Sequence, residues 1–399
     1  MQDVIKGLVQ PNDQKIVMFV LDGLGGLPRE KGGQTELETA KTPNLDALAI
    51  ESECGLHMPI DFGITPGSAP GHLSLFGYPP REYPIGRGVV AATGIGFPIQ
   101  PGDVAARVNF ATRDVQGNIT DRRAGRIPTE KCRELCERLS AIKIPGVEMF
   151  IKPVMDYRAV VVFRGKDLSD HVADTDPQAI GVKPKDPKPT SEKGKKTAEV
   201  AAEFIKQALA LLKDRSPANC ILTRGFAELP HIPSMQSLYG LRPLALAVYP
   251  DYKGVSRLVG MDVVEGLKDL SHQAEALREN WERYDFFFMH HKYTDSRGED
   301  GDFQAKIAEI EKADGFMPRI TDLNPNVLIV TGDHSTPSVM KSHSHHPVPF
   351  LIHANNMRPD GVREFGERAC AAGLWGVIRG PILMRLALAY ADKLAKFGA

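Results

Sequence analysis

Three short apolar runs that end in polar residues constrain this chain more than any other feature. Val327-Leu328-Ile329-Val330 leads into Thr331-Gly332-Asp333-His334, Ile16 to Leu21 leads into Asp22-Gly23-Leu24-Gly25-Gly26, and Phe286-Phe287-Phe288-Met289 leads into His290-His291. Runs this short, apolar throughout and rich in β-branched or aromatic residues read as strands covered on both faces. A chain with several of them is expected to fold as an α/β protein, and open α/β sheets bind ligands beyond the carboxyl ends of their strands. Asp333, His334 and, nine residues on, His343 offer hard oxygen and borderline nitrogen donors, a mixture that suits Zn²⁺ or Mn²⁺. The competing reading is a turn aspartate with surface histidines.

Charge excludes some partners. Lys+Arg 49 against Asp+Glu 50 leaves a net charge of -1, so nothing global favours nucleic acid or an anionic membrane. No apolar run is long enough to span a bilayer, and the first eleven residues carry no secretory core. The cysteines, Cys54, Cys132, Cys136, Cys220 and Cys370, are odd in number and scattered, which argues against a disulfide framework. A reducing, cytoplasmic setting is the expectation. A length of 399 residues leaves room for roughly two or three domains.

Further candidates lie at other strand tips and turns. The glycines after Asp22 let the backbone turn sharply, but their spacing fits neither a dinucleotide fingerprint nor a P-loop, so Asp22 reads as a metal ligand. Ser68 stands in Gly67-Ser68-Ala69-Pro70-Gly71-His72, where a helix is expected to begin. A serine at a positive helix end suits attack on phosphate; the plainer reading is a serine that caps the helix. Asp295 and Glu299 are four residues apart, a spacing that converges two carboxylates on one cation or simply places acids ahead of the helix from Phe303. His345, His346 and His291 compete with Glu299 for that position.

Between 102 and 262 the pattern alternates strands and helices, with basic residues following strands: Arg122, Arg123 and Arg126 in one turn, Arg224 after Ala218 to Thr223, and Lys253 and Arg257 after Leu244 to Val248. The expectation is a second α/β domain with an anion site, since arginine forks match carboxylate and phosphate. A solvated basic turn is the alternative for the Arg122 cluster. Asp167 to Pro189 is expected to be a long loop, Thr197 to Leu212 an amphipathic helix, and Leu383 to Phe397 a closing helix.

The separated motifs also carry a resemblance. Asp22-Gly-Leu-Gly-Gly, Thr42-Pro-Asn-Leu-Asp, Gly67-Ser68-Ala-Pro-Gly-His72, Gly86-Arg-Gly, Asp121-Arg-Arg-Ala-Gly-Arg126, Asp174-Thr-Asp-Pro, Thr223-Arg-Gly and Thr331-Gly-Asp-His334-Ser-Thr-Pro together resemble the archaeal-type branch of the cofactor-independent phosphoglycerate mutases, in the alkaline phosphatase superfamily. The resemblance implies an alkaline-phosphatase-like core at 1–101 and 263–399 with an inserted substrate-binding α/β domain at 102–262. It implies Ser68 as nucleophile, one divalent metal on Asp22, Ser68, Asp333 and His334, and another on Asp295, Glu299 and His343. Arg122, Arg123, Arg126, Asp174, Arg224, Lys253 and Arg257 lie where the family holds its phosphoglycerate. The implied reaction interconverts 2- and 3-phosphoglycerate through a phosphoserine, with Mn²⁺, Zn²⁺ or Mg²⁺ as the ions.

Two departures stand out. Glu299 replaces a histidine usual in the family, and a harder ligand favours Mn²⁺ or Mg²⁺. Ser68-Ala69-Pro70 replaces the branch's Ser-Asp-Thr and removes an acid beside the serine. The rival readings are another metal-dependent phosphoryl transferase or phosphatase of the superfamily, and a non-catalytic metabolite-binding relative.

Overall fold

The computed structural model describes residues 2–398. Along the chain the strands are β1 (Ile16–Leu21) and β2 (Glu53–Met58), then β3 (Val104–Arg113), β4 (Ile119–Asp121), β5 (Glu148–Met155), β6 (Arg158–Arg164) and β7 (Cys220–Glu228). The last group is β8 (Pro243–Leu246), β9 (Asp262–Val263), β10 (Phe286–His291), β11 (Val327–Thr331), β12 (Val348–Ala354) and β13 (Val377–Arg379).

Contacts divide the chain into two compact units, 1–84 with 232–399, and 85–231. The first unit holds an eight-stranded sheet in the order β13-β2-β12-β11-β1-β10-β8-β9. From β11 to β9 every pairing is parallel, whereas β12 runs antiparallel to both β11 and β2. The three central strands β11, β1 and β10 are buried along their whole length, as their apolar runs require. Val17, Phe19 and Leu21 pack with Phe287, Met289, Leu328 and Val330 in one core. Leu21 pairs with His291 and Val20 with Thr331, a register that ends three strand tips side by side.

The second unit is built on an antiparallel sheet, β4-β3-β6-β5 with β7 on β3. Its helices Thr129–Leu139 and Lys195–Leu211 bury Leu135, Leu139, Ala201 and Phe204 against β3 and β6 residues such as Val108 and Phe163. The sequence reading placed the inserted region at 102–262; the compact unit is 85–231. The helix Arg87–Gly94 presses Gly88 against the backbone of Ala105, which ties 85–101 to β3. At the other end, β8 and β9 pair with the main sheet, which carries 232–262 into the first unit.

Other local expectations shift too. The closing helix is Ile382–Tyr390 and stops well before Phe397, with Asp392 at φ 49°. β7 continues through Arg224 to Glu228, so Arg224 lies within a strand instead of after one. All five cysteines are free and buried. Among the described residues no helix is long and apolar enough to cross a membrane.

Candidate metal centre

The three adjacent strand tips of the first unit bring Asp22, Asp295, Asp333 and His334 together in the interior, all essentially without solvent contact. Ligand atoms of Asp22, Asp333 and His334 lie within 4.8 Å of one another, and so do those of Asp295, His334 and His343. His334 is common to both groups. Its Nε2 is 3.2 Å from Asp22 Oδ1, 3.3 Å from Asp333 Oδ2 and 4.0 Å from Asp295 Oδ1. His343 Nε2 stands 3.5 Å from Asp295 Oδ1, and its ring stacks on that of His334 at 3.7 Å.

Hydrogen bonds behind these side chains set the imidazole tautomers. His343 Nδ1 is 2.9 Å from the Pro66 carbonyl, which only an N–H satisfies, so Nε2 carries the lone pair toward Asp295. The Thr336 hydroxyl donates its hydrogen to Asp295 Oδ1 at 2.7 Å, so His334 Nδ1, 2.9 Å from the threonine oxygen, donates to that oxygen. That leaves His334 Nε2 facing the carboxylates. His57 Nε2 donates to the Gly332 carbonyl at 2.9 Å, and burial drives its pKa down to about 4, so it serves as a neutral prop for the β11 tip.

Ser68 opens the helix Ser68–Leu75, and its Oγ is 3.3 Å from His334 Nε2. The helix comes this close because Gly71 has no side chain: a Cβ there would collide with the Asp333 carbonyl. The helix start thus directs its positive end at the same place as the serine.

The electrostatics call for cations. Asp22 Oδ1 and Asp333 Oδ2 are buried oxygens without a well-aligned hydrogen-bond donor, an expensive arrangement for charge-bearing atoms. Burial alone would raise the Asp22 carboxyl, but Lys292, His290 and His334 hold it well below the usual range. For His334 burial opposes charge, yet Asp333, Asp22 and Asp295 push it up to about 9. Buried carboxylates and imidazoles converging on common points suit divalent cations, whose binding would displace the His334 proton.

Sequence reasoning missed several members of the site. Lys292 Nζ stands 3.1 Å from Asp22 Oδ2 and also pairs with Asp295. Tyr252 donates its hydroxyl to Asp22 Oδ2, and its ring lies 3.7 Å from that of His290, whose Nε2 is 3.3 Å from the same oxygen. His72 Nδ1 approaches Asp333 Oδ2 at 3.1 Å. The available signal was position: Lys292 directly follows the β10 tip, and His72 is one helical turn after Ser68.

Glu299 is outside both groups, and this corrects the ligand set expected for the second ion. The helix Tyr293–Asp300 buries Thr294, Asp295 and Gly298, with Gly298 against Thr336, and Glu299 is the next residue round, exposed to solvent. The competing histidines do not fill its place either: His291 pairs with Glu309 at 3.0 Å, and His345 and His346 stack on each other.

The second unit holds a separate ionic cluster. Arg122 forks onto Asp176 at 2.9 and 2.8 Å, Arg224 Nη1 is 3.5 Å from the same carboxylate, and Asp174 accepts from Gly225 N–H at 2.7 Å. Asp176, two residues beyond Asp174, was the missed partner. Arg123 and Arg126 are exposed and outside this cluster. Lys253 and Arg257 belong to the first unit, on the helix Pro250–Leu258, where both pair with Glu265.

Comparison with known proteins accords with this architecture. Residues 49–219 match the family model described as 2,3-bisphosphoglycerate-independent phosphoglycerate mutase. A probable 2,3-bisphosphoglycerate-independent phosphoglycerate mutase of Aquifex aeolicus is 48% identical over 407 residues, covering 100% of both chains. One from Thermus thermophilus is 48% identical and covers 99% of each. Among solved structures, the PH0037 protein of Pyrococcus horikoshii superposes with a TM-score of 0.83 at 30% identity, covering 98% of this chain and 100% of that one. The cofactor-independent phosphoglycerate mutase of Thermoplasma acidophilum gives 0.69 at 31%, covering 95% and 100%. With near-half identity along its whole length, the chain belongs to the 2,3-bisphosphoglycerate-independent phosphoglycerate mutases, enzymes of the isomerase class.

Proposed function

We propose that this enzyme interconverts 2- and 3-phosphoglycerate by passing the phosphoryl group through Ser68 at a centre that holds two divalent cations. The observation that carries the reading is Ser68 Oγ at a helix start, 3.3 Å from the Nε2 of the histidine common to two Asp/His groups. Asp22, Ser68, Asp333 and His334 would hold one ion, and Asp295 and His343, with His334 in reach, the other. Bound there, Mn²⁺ or Zn²⁺ would neutralise the transferring phosphoryl group and lower the pKa of the serine hydroxyl.

Ser68 Oγ attacks the substrate phosphorus as its P–O(glycerate) bond breaks, and the freed glycerate hydroxyl takes up a proton. The positive helix end at Ser68 receives the phosphoryl oxygens, and the Lys292 ammonium adds charge beside Asp22 and Asp295. The glycerate then presents its neighbouring hydroxyl, whose oxygen takes the phosphorus back, and Ser68 regains its proton. Retention of glycerate separates a mutase from a phosphatase, because water accepts the phosphoryl group once the glycerate leaves. We assign that retention to the 85–231 unit. Arg122 and Arg224 are the forks for the glycerate carboxylate, and Asp174 and Asp176 orient them. Lys253 and Arg257 lie in the first unit on the helix Pro250–Leu258, and Arg123 and Arg126 are outside the cluster, so these four are secondary candidates.

The test is turnover of 3-phosphoglycerate with added Mn²⁺ or Zn²⁺. The expected product is 2-phosphoglycerate without stoichiometric free phosphate, and acid quenching should trap phosphate on Ser68. Ser68→Ala should abolish both with little loss of stability, because Gly67 and not Ser68 is the N-cap of the helix. Retained turnover in that variant would remove Ser68 as the nucleophile.

A further inference from the structure

Behind the strand tips lies a lysine that none of this chemistry uses. Lys306, on the helix Phe303–Asp314, is fully buried. Its Nζ donates to the carbonyls of Gly23 at 2.9 Å, Gly25 at 3.0 Å and Thr336 at 2.9 Å. An ammonium has three N–H groups, and all three are used on backbone oxygens. Two of those oxygens belong to the loop after β1, which delivers Asp22, and the third belongs to the loop after β11, which delivers Asp333 and His334.

The same two loops are cross-linked by the opposite charge. The buried Glu36 carboxylate accepts from Leu27 N–H at 3.2 Å and from Ser338 N–H at 2.7 Å. Between these ionic ties the loops bond directly, Thr336 N–H to the Gly23 and Gly25 carbonyls at 3.2 and 3.0 Å. The residues so held are those that set the ligands. Gly23 N–H donates to Asp333 Oδ1 at 3.1 Å, and the Thr336 hydroxyl sits between Asp295 Oδ1 and His334 Nδ1. The Thr336 carbonyl gripped by Lys306 therefore belongs to the residue whose side chain links the two ligand groups.

We propose that Lys306 is a positioning residue, a buried ammonium that locks the β1 and β11 loops together and sets the spacing of the two ligand groups. This rests on the two-cation reading of the centre. An uncharged side chain of the same length takes a donor from each of three buried carbonyls, with the Thr336 N–H remaining for those of Gly23 and Gly25, and the loops part to reach water or other donors. The ligand groups then lose their common focus although every ligand is still present. Packing alone predicts something different, because methionine fills nearly the same space as lysine without the charge.

Lys306→Met and Lys306→Ala decide between these. The readouts are Mn²⁺ affinity by direct titration, kcat and KM for 3-phosphoglycerate, and response to methylammonium chloride against sodium chloride at equal ionic strength. For Lys306→Met we expect Mn²⁺ affinity to fall by about 10-fold to 100-fold, the range for lost ligand-orienting partners. kcat should fall with it while KM changes little. In Lys306→Ala, methylammonium should restore part of the Mn²⁺ affinity and sodium should not. If Lys306→Met keeps wild-type Mn²⁺ affinity and kcat and loses only thermal stability, the lysine is a packing residue and the proposal fails. Should Lys306→Met not fold, Lys306→Ala purified with methylammonium is decisive: affinity unchanged on dialysing the amine away overturns the proposal. A wild-type protein that binds no Mn²⁺ removes the two-cation reading and this proposal together, whereas normal wild-type binding with unaffected variants removes this proposal alone.

Discussion

The Asp22/Asp333/His334 centre and the Arg122/Asp176/Arg224 cluster are both built from buried acids, yet they treat charge in opposite ways. In the second unit the acid is satisfied. Asp176 lies inside, receives a bidentate fork from Arg122 and a second guanidinium from Arg224, and these partners hold its carboxyl below the usual range against the cost of burial. In the first unit Asp22, Asp333 and Asp295 converge with only Lys292 and histidines as positive partners, and two of their buried oxygens lack a well-aligned donor. One arrangement is compensated as the chain folds; the other offers converging donors that suit an ion from solution. A buried acid with its own arginine is compensated within the fold and costly to break, whereas a group of buried acids without one suits a cation.

The largest effect expected from this contrast is at Asp333. Asp333→Asn removes a proposed ligand, so Mn²⁺ affinity should fall by more than about 100-fold. In metal-free protein the same change relieves the buried repulsion between Asp333 and Asp22 but removes an anion that His334 and His72 hold below the usual carboxylate range against burial, so thermal stability without metal should fall modestly, and the stabilisation conferred by Mn²⁺ should vanish. Scanning calorimetry with and without Mn²⁺ reads both. A metal-free loss as large as the one expected below for Asp176→Asn would mean that Asp333 is satisfied within the protein and that the contrast is false.

The matching change in the other region should behave differently. Asp176→Asn leaves two guanidinium groups without their shared anion, at a cost of about 3 kcal/mol, the lower end for breaking a buried pair because Arg122 is part-exposed. That loss should appear equally with and without Mn²⁺ in denaturant unfolding. A metal-dependent difference would break the comparison from this side.

Which of these groups could be read from sequence depends on how local their geometry is. Asp22, Asp333 and His334 were legible because a buried strand delivers its next residues to a fixed edge, and three apolar runs announced three such tips. Ser68 was legible from Gly67 and the helix start beside it. Glu299 was misread because four-residue spacing says nothing of which side of a two-turn helix faces inward; Gly298 against Thr336 decides that, and it is a tertiary contact. Tyr252 and Lys306 carried no local signal, since their partners lie on other strands and loops. The unit boundaries were displaced for a similar reason: β8 and β9 look like any other strands until their pairing with β10 is known.

The smallest expected effect comes from a histidine beside the same strand tip that behaves oppositely to His334. His57 is fully buried and donates to the Gly332 carbonyl, but unlike His334 it has no acid within pairing distance, and burial drives its pKa down to about 4 while the acids push that of His334 up to about 9. The unfolded chain binds a proton at His57 near the ordinary value of about 6.5, and the folded chain only near 4. Between those values the unfolded state holds more protons, so folding stability falls as pH falls, and the contribution is fully present only above pH 6.5. His57→Gln keeps a donor for Gly332 and removes the titration. The wild type should therefore lose up to about 3 kcal/mol more than the variant between pH 6.5 and 4. Urea unfolding at a series of pH values in metal-free buffer measures the difference. Parallel curves for the two proteins would mean that water reaches His57, and that the interior next to the β11 tip is less dry than the contrast between the two histidines requires.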